Sequence, residues 1–139
     1  MTAYSQANVI PAVDEYCALR VTCGLSARTS AAAEIGLANS LFATSIRDGE
    51  KLIAMGRVVG DGGCNFEVVD IAVHPDYQRQ GLGQRIMDAV MEFVHATAPD
   101  SAYVCLIADH HSPALYSKYG FEPTTPVSIG MALRIKKPD

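Results

Sequence analysis

The chain has 139 residues, 49% of them apolar and 19% charged, with a net charge of −4. That length suits one domain, residues 1–139, with a single sizeable core, and that composition suits a folded soluble chain. No apolar run approaches the roughly 20 residues of a membrane span, residues 1–8 lack the segments of a secretory leader, and Lys136-Lys137 is the longest basic run, which disfavours nucleic-acid binding.

Taken in order, residues 4–10 read as a first strand. Pro11 opens a helix that runs through Tyr16 and Cys17 to Arg20, with Asp14 and Glu15 at its positive end. Residues 22–28, with Gly24, form a loop. Thr29 or Ser30 caps a second helix over residues 31–39, and Glu34 is placed for a capping box. Residues 41–47 are strand-like, Asp48-Gly49 is a hairpin turn, and residues 51–59 return. Asp61-Gly62-Gly63 turns the chain again into a strand over residues 64–73, completing an antiparallel meander. Pro75 stops that strand. A glycine-containing turn, residues 78–83, leads into a helix whose apolar stripe is Leu82, Ile86, Val90 and Phe93, widened by Met87, Met91 and Val94. After Pro99-Asp100 comes a buried strand over residues 103–108. Ser112-Pro113 caps and starts a short helix to about Tyr119, closed by Gly120. Residues 128–135 form a last strand, whose edge could support a homodimer. The four cysteines, Cys17, Cys23, Cys64 and Cys105, form no C-x-x-C pair. Free thiols in a reducing cytoplasm are expected.

Strand, glycine loop and helix N-terminus together make an anion site, because the first helical turn has unpaired N–H groups and a positive dipole end. A P-loop needs Lys after its glycines, and none follows Gly81 or Gly83. A dinucleotide fingerprint needs a third glycine where Ile86 stands. The run Gln78-Arg79-Gln80-Gly81-Leu82-Gly83 has the form Q/R-x-x-G-x-G/A, preceded by Val73, Pro75 and Tyr77. It resembles the coenzyme A loop of the GNAT superfamily of N-acetyltransferases. Leu115-Tyr116-Ser117-Lys118-Tyr119-Gly120-Phe121 is similar to that family's LY-x-x-x-GF segment, and the element order β-α-α-β-β-β-α-β-α-β matches its layout.

The resemblance implies an α/β (α+β) acyl-CoA N-acyltransferase fold. Its sheet would be mixed but mostly antiparallel, of about six to seven strands flanked by helices, splayed between the strands at 64–73 and 103–108. It implies acetyl-CoA as co-substrate, no metal, and direct transfer to a primary amine, first of a small molecule. A protein N-terminus or lysine, or a non-catalytic acyl-CoA-binding or sensing module, are the alternatives. The backbone from Gln78 through Arg79, Gln80, Gly81, Leu82 and Gly83 to Gln84 would cradle the pyrophosphate. Ile71, Ala72 and Val73 would pair with the pantetheine arm, with the Ile71 N–H polarising the thioester. Tyr116 would protonate the leaving thiolate. Glu67 and Asp70 both match base positions of different family branches. Their odd separation puts them on opposite faces of an ideal strand unless a bulge intervenes, and water alone could serve. Asp109 stands where many members have an asparagine at the pantetheine or acceptor, and lacks the amide donor. His74, His110 and His111 have no metal-ligand spacing. Arg28 and Arg57 read as ordinary surface or ion-pair residues.

Overall fold

The computed structural model describes residues 3–109 and 113–138. Two compact units divide at Leu106 and Ile107. The first carries a five-stranded sheet in the order β1 (Ser5–Ala7), β2 (Phe42–Asp48), β3 (Lys51–Gly60), β4 (Asn65–Val73) and β5 (Tyr103–Cys105). All neighbours pair antiparallel except β4 and β5, which are parallel.

Helices cover both faces. On one side α1 (Val13–Thr22) and α2 (Ser30–Ala38) bury Tyr16, Leu19, Ala33 and Leu37 against Leu52, Met55 and Ala72. Thr29 caps α2, its hydroxyl accepting from the Ala32 N–H at 3.1 Å. Glu34 takes no part in that cap. The reciprocal carboxylate bond appears instead at α1, where Glu15 accepts from the Ala12 N–H at 2.8 Å. On the other side α3 (Leu82–Thr97) buries Leu82, Ile86, Met87, Val90, Met91 and Val94, the stripe its periodicity predicts. Phe93 is half-buried and stacks on Phe42 with ring centroids 4.8 Å apart. At Gly56 the sheet and α3 approach closely. A Cβ there would lie 2.5 Å from Ile86 Cγ2 and 2.8 Å from Ile71 Cδ1.

Two irregularities of β4 matter for function. Met55 stands opposite Ala72 and Arg57 opposite Val69, so Asp70 and Ile71 together oppose the single Gly56. This is a β-bulge, with Asp70 at φ +58°. The ladder to β5 is the second. It covers only Asn65, Phe66 and Glu67, opposite Tyr103, Val104 and Cys105. Beyond Glu67, β4 runs on without β5, which is the expected splay.

Three strands differ from expectation, and the sheet has five strands where about six to seven are expected. The strand expected at 4–10 is only Ser5–Ala7. The strand expected at 103–108 is three residues long and not fully buried, with Tyr103 55% exposed. The strand expected at 128–135 is absent. Those residues alternate apolar and polar as a strand would, but no ladder partner among the described residues holds them. In the second unit α4 (Pro113–Ser117) continues as a turn to Gly120, whose φ of +92° fits a helix-closing glycine. His110, His111 and Ser112 lie outside the described residues, and so does the capping role expected of Ser112.

Candidate functional site

The loop after β4 is held from both ends. A short 3-10 turn, Pro75–Tyr77, follows the strand. His74 Nδ1 accepts from the Asp76 N–H at 3.1 Å, and the Tyr77 hydroxyl donates to Asp48 at 2.7 Å. That bond to a carboxylate raises the Tyr77 pKa. Gln78 Nε2 donates to the Val73 carbonyl at 3.2 Å, and Gln80 accepts from the Tyr4 hydroxyl at 2.9 Å. Arg79 and Gly81 both sit in the left-handed region, at φ +64° and +77°. Left-handed residues so closely spaced turn successive N–H groups toward one concavity. Gly81 is the N-cap of α3 and offers no side-chain acceptor to it, and no acid lies in the first turn. Residues 78–81 are exposed. An open loop of N–H groups at a helix start with no acid in the helix's first turn fits a phosphate.

Upstream of the loop, the bulge sorts the two candidate bases. Met55 belongs to the core under α1 and α2, and Arg57, two residues on, lies 5.7 Å from the Tyr16 ring centroid. Val69 and Glu67, opposite Arg57 and Val59, therefore face the same helices. Asp70 reaches that side too, because the bulge resets the alternation. Its side chain is only 6% exposed. Oδ1 pairs with Arg20 Nη1, and Oδ2 accepts from Arg57 Nε at 2.7 Å and from the Tyr16 hydroxyl at 2.8 Å. Both guanidiniums reach further. Arg20 donates to the Ser26 carbonyl at 2.8 Å and hydroxyl at 3.0 Å, while Arg57 donates to the Gly36 carbonyl at 3.0 Å and the Ser40 hydroxyl at 2.8 Å. Burial, then the Asp70 charge and hydrogen bond, raise the Tyr16 pKa.

Glu67 is the opposite case. It is half-buried, and no hydrogen bond or ion pair to a described residue engages its carboxylate. Cys105, its partner across the ladder, has its thiol pKa raised by burial and by the Glu67 charge. Sequence reasoning missed Arg20 and Tyr16 as site residues and left Arg57 as an ordinary ion-pair residue. The available signal was spacing: Tyr16 and Arg20, four apart on α1, share the buried face. Ile71 packs toward α3 beside Gly56, and Ala72 toward α1 and α2.

Tyr116 and Asp109 belong to the second unit. Tyr116 is buried on α4, its ring edge-on to Phe121 at 6.5 Å between centroids. Asp109 is exposed. Among the described residues, no group of three or more His, Cys, Asp or Glu side chains could hold a metal ion, and no helix is long and apolar enough to cross a membrane.

Known proteins give this architecture its context. The family model described as an acetyltransferase (GNAT) domain matches residues 40–123. A crystal structure from meticillin-resistant Staphylococcus aureus, of a protein of unknown function described as a probable acetyltransferase, is 45% identical, with a TM-score of 0.93 over 96% of this chain and 100% of that one. Glucosamine-6-phosphate N-acetyltransferase from Arabidopsis thaliana shares the fold at 15% identity, with a TM-score of 0.69 over 96% of this chain and 99% of that one. A chloroplastic GCN5-related N-acetyltransferase 2 from the same plant is 34% identical over 73 residues, 52% of this chain and 28% of its own length. The chain thus spans well under half of the curated relatives it matches first. With the bulged, splayed β4, the glycine loop and the α3 N-terminus in one continuous stretch, the chain belongs to the GNAT acetyltransferase family.

Proposed function

We propose that residues 1–139 form one acetyl-CoA-dependent N-acetyltransferase domain, acting in the cytoplasm on the primary amine of a small molecule. One observation carries the reading. The β4–β5 ladder stops at Glu67 and Cys105, and the edge of β4 it leaves runs straight into the left-handed loop and the uncapped start of α3. A ligand with an extended amide-bearing arm and a pyrophosphate has matching partners along that path.

Acetyl-CoA supplies the activated acetyl carbonyl and a thiolate leaving group. The N–H groups of residues 78–84 bind the pyrophosphate, and Ile71, Ala72 and Val73 bind the arm through their backbone. The β4 bulge places Asp70 and Ile71 together opposite Gly56, and in this reading the Ile71 N–H polarises the carbonyl. An ammonium acceptor must lose a proton before it attacks. Glu67, whose carboxylate no described residue engages, accepts that proton directly or through water. Asp70 has both oxygens taken by Arg20, Arg57 and Tyr16, so this reading makes it an anchor rather than the base. The amine nitrogen bonds to the acetyl carbon, the carbon–sulfur bond breaks, the Tyr116 hydroxyl gives its proton to the sulfur, and the second proton that the nitrogen sheds on becoming an amide restores that hydroxyl, directly or through water. Asp109 offers acceptor oxygens to the arm or the acceptor, without the donor of an asparagine. The loop at residues 22–28, tied to β4 through Arg20, Ser26 and Asp70, contributes the acceptor side.

The test is thermal shift with acetyl-CoA and with desulfo-CoA, on the wild type and on Gly81→Glu. Stabilisation of about 2.7 kcal/mol is expected at a hundredfold excess over the dissociation constant, and its loss in Gly81→Glu. A folded wild type with no shift at millimolar acetyl-CoA would overturn the reading. A positive shift is followed by acetyl transfer to a panel of small amines, and by a peptide panel for the protein-directed alternative.

A further inference from the structure

On the α1 and α2 side of the sheet, one run of hydrogen bonds joins three guanidiniums to a single carboxylate. Arg20 and Arg57 both pair with Asp70, and the Ser26 hydroxyl accepts from Arg20 Nη2 at 3.0 Å and from Arg28 Nη1 at 2.7 Å. Tyr16, also bonded to Asp70, has its pKa raised and stays neutral at pH 7. The run therefore holds three positive charges against one negative, in a chain whose net charge is −4.

Two of the three charges have compensation. Asp70 lies between Arg20 and Arg57, and Arg57 also donates to the Gly36 carbonyl at 3.0 Å, in the last turn of α2 and so at that helix's negative end. Arg28 has neither. Its Nη1 reaches the Ser26 hydroxyl and, at 3.3 Å, the Ala27 carbonyl, and no carboxylate among the described residues pairs with it. An exposed guanidinium on an unconstrained loop is ordinary surface charge, but this loop is constrained. Gly24 turns the chain out of α1 at φ +79°, the Leu25 N–H donates to the Arg20 carbonyl at 2.9 Å, and Arg20 Nε donates to the Ser26 carbonyl at 2.8 Å. Leu25 packs on the core under α1 and α2, and Thr29, next to Arg28, caps α2. The Arg28 backbone is thus held on both sides, so little ordering is left for a ligand to impose. Glu67, whose carboxylate no described residue engages, faces the same helices.

We propose that Arg28 binds an oxyanion of the acceptor, so that the amine to be acetylated also carries a carboxylate or a phosphate. The inference rests on the acetyltransferase reading above and names the class of its acceptor. The ammonium is directed to Glu67 and the anion to Arg28, two groups of opposite charge on one side of the sheet. A planar guanidinium fork matches either oxyanion.

Equilibrium binding tests this apart from acetyl transfer. The probes are amino acids, each against its own amide, and phosphoethanolamine against ethanolamine. The amide resonances of Ala27, Arg28 and Thr29 are followed by heteronuclear NMR, with and without desulfo-CoA. Saturable shifts are expected with an anionic member and about tenfold weaker binding of its neutral counterpart. Which pair shows the difference tells carboxylate from phosphate. Arg28→Ala should bring the two members of that pair to equal affinity. Arg28 is exposed and bonds only within its own loop, so the substitution leaves the Asp70 pairs in place. In acetyl transfer it should raise KM for the anionic member about tenfold with a smaller change in kcat, and Arg28→Lys, which keeps the charge without the fork, should recover part of the loss. No binding by any anionic member, equal affinity within every pair in the wild type, or a preference that survives in Arg28→Ala would each overturn the proposal. Failure of the acetyl-CoA thermal shift is a separate result: it removes the acetyltransferase reading, whereas the anion site stands or falls on the binding data.

Discussion

Glu67 and Asp70 share one face of β4 although they lie three positions apart, because Asp70 and Ile71 together stand against Gly56. The same bulge gives them different environments. Asp70 closes a buried knot with Arg20, Arg57 and Tyr16, while Glu67 keeps its carboxylate unpaired among the described residues. The left-handed φ of Asp70 costs about 1–2 kcal/mol, which the charge-assisted bonds offset.

Asp70→Asn should therefore act first on stability. It leaves two guanidiniums, with side chains only 5% and 11% exposed, without their anion. Breaking a buried pair in this way costs about 3–5 kcal/mol. Urea denaturation measures it. A variant of wild-type stability that had lost all turnover would instead return Asp70 to the chemistry.

Glu67→Gln should do the reverse. With no ion pair to a described residue to lose, stability should stay within about 0.5 kcal/mol. Turnover should fall on the order of 10²–10⁴-fold. Unchanged turnover would assign the proton to water alone.

The helices, the meander and the glycine loop are legible in the sequence because each rests on local rules. Examples are the 3.6-residue stripe of α3, Asp48-Gly49 at the hairpin, and Pro75 ending β4. The Asp70 knot is not legible, because Arg20, Arg57 and Asp70 meet only when α1 lies on the sheet, a contact that no local pattern encodes. The bulge enters a sequence reading only as a condition, since one extra residue in β4 leaves no mark on its apolar content. Residues 128–135 show a true strand pattern. Alternation tells what a segment can pair as, but not whether a partner is present.

Gly56 invites a packing test. A Cβ there would meet Ile86 and Ile71 well inside contact distance, so Gly56→Ala should cost about 1–3 kcal/mol by overpacking. Because the clash pushes on Ile71, acetyl-CoA affinity should weaken as well. A wild-type denaturation midpoint would mean that α3 can shift freely from the sheet.

Tyr116→Phe removes one hydroxyl and keeps the ring that meets Phe121. If that hydroxyl protonates the thiolate, kcat should fall while the acetyl-CoA dissociation constant changes little. Equal loss in both would make Tyr116 a binding residue.

The last prediction concerns pH. Glu15 pairs with Arg47, at 2.8 Å through Nη1, and both side chains are about a quarter exposed. The Arg47 hydrogen bond is the main cause that lowers the Glu15 pKa from its ordinary value of 4.5. A depressed carboxyl pKa contributes stability that is fully present above the unfolded value and lost as pH falls through the folded one. Partial exposure limits the contribution to about 0.5–1 kcal/mol. Glu15→Gln keeps an oxygen for the Ala12 N–H but not the charge. It should therefore be less stable than wild type by that amount at pH 7, and the gap should close as the pH drops below about 4. Guanidinium would screen the pair, so urea titrations at a series of pH values are the measurement. A gap that stays constant down to about pH 3, well below the ordinary carboxyl range, would mean that the pair's charge contributes nothing and that Gln is failing as a cap.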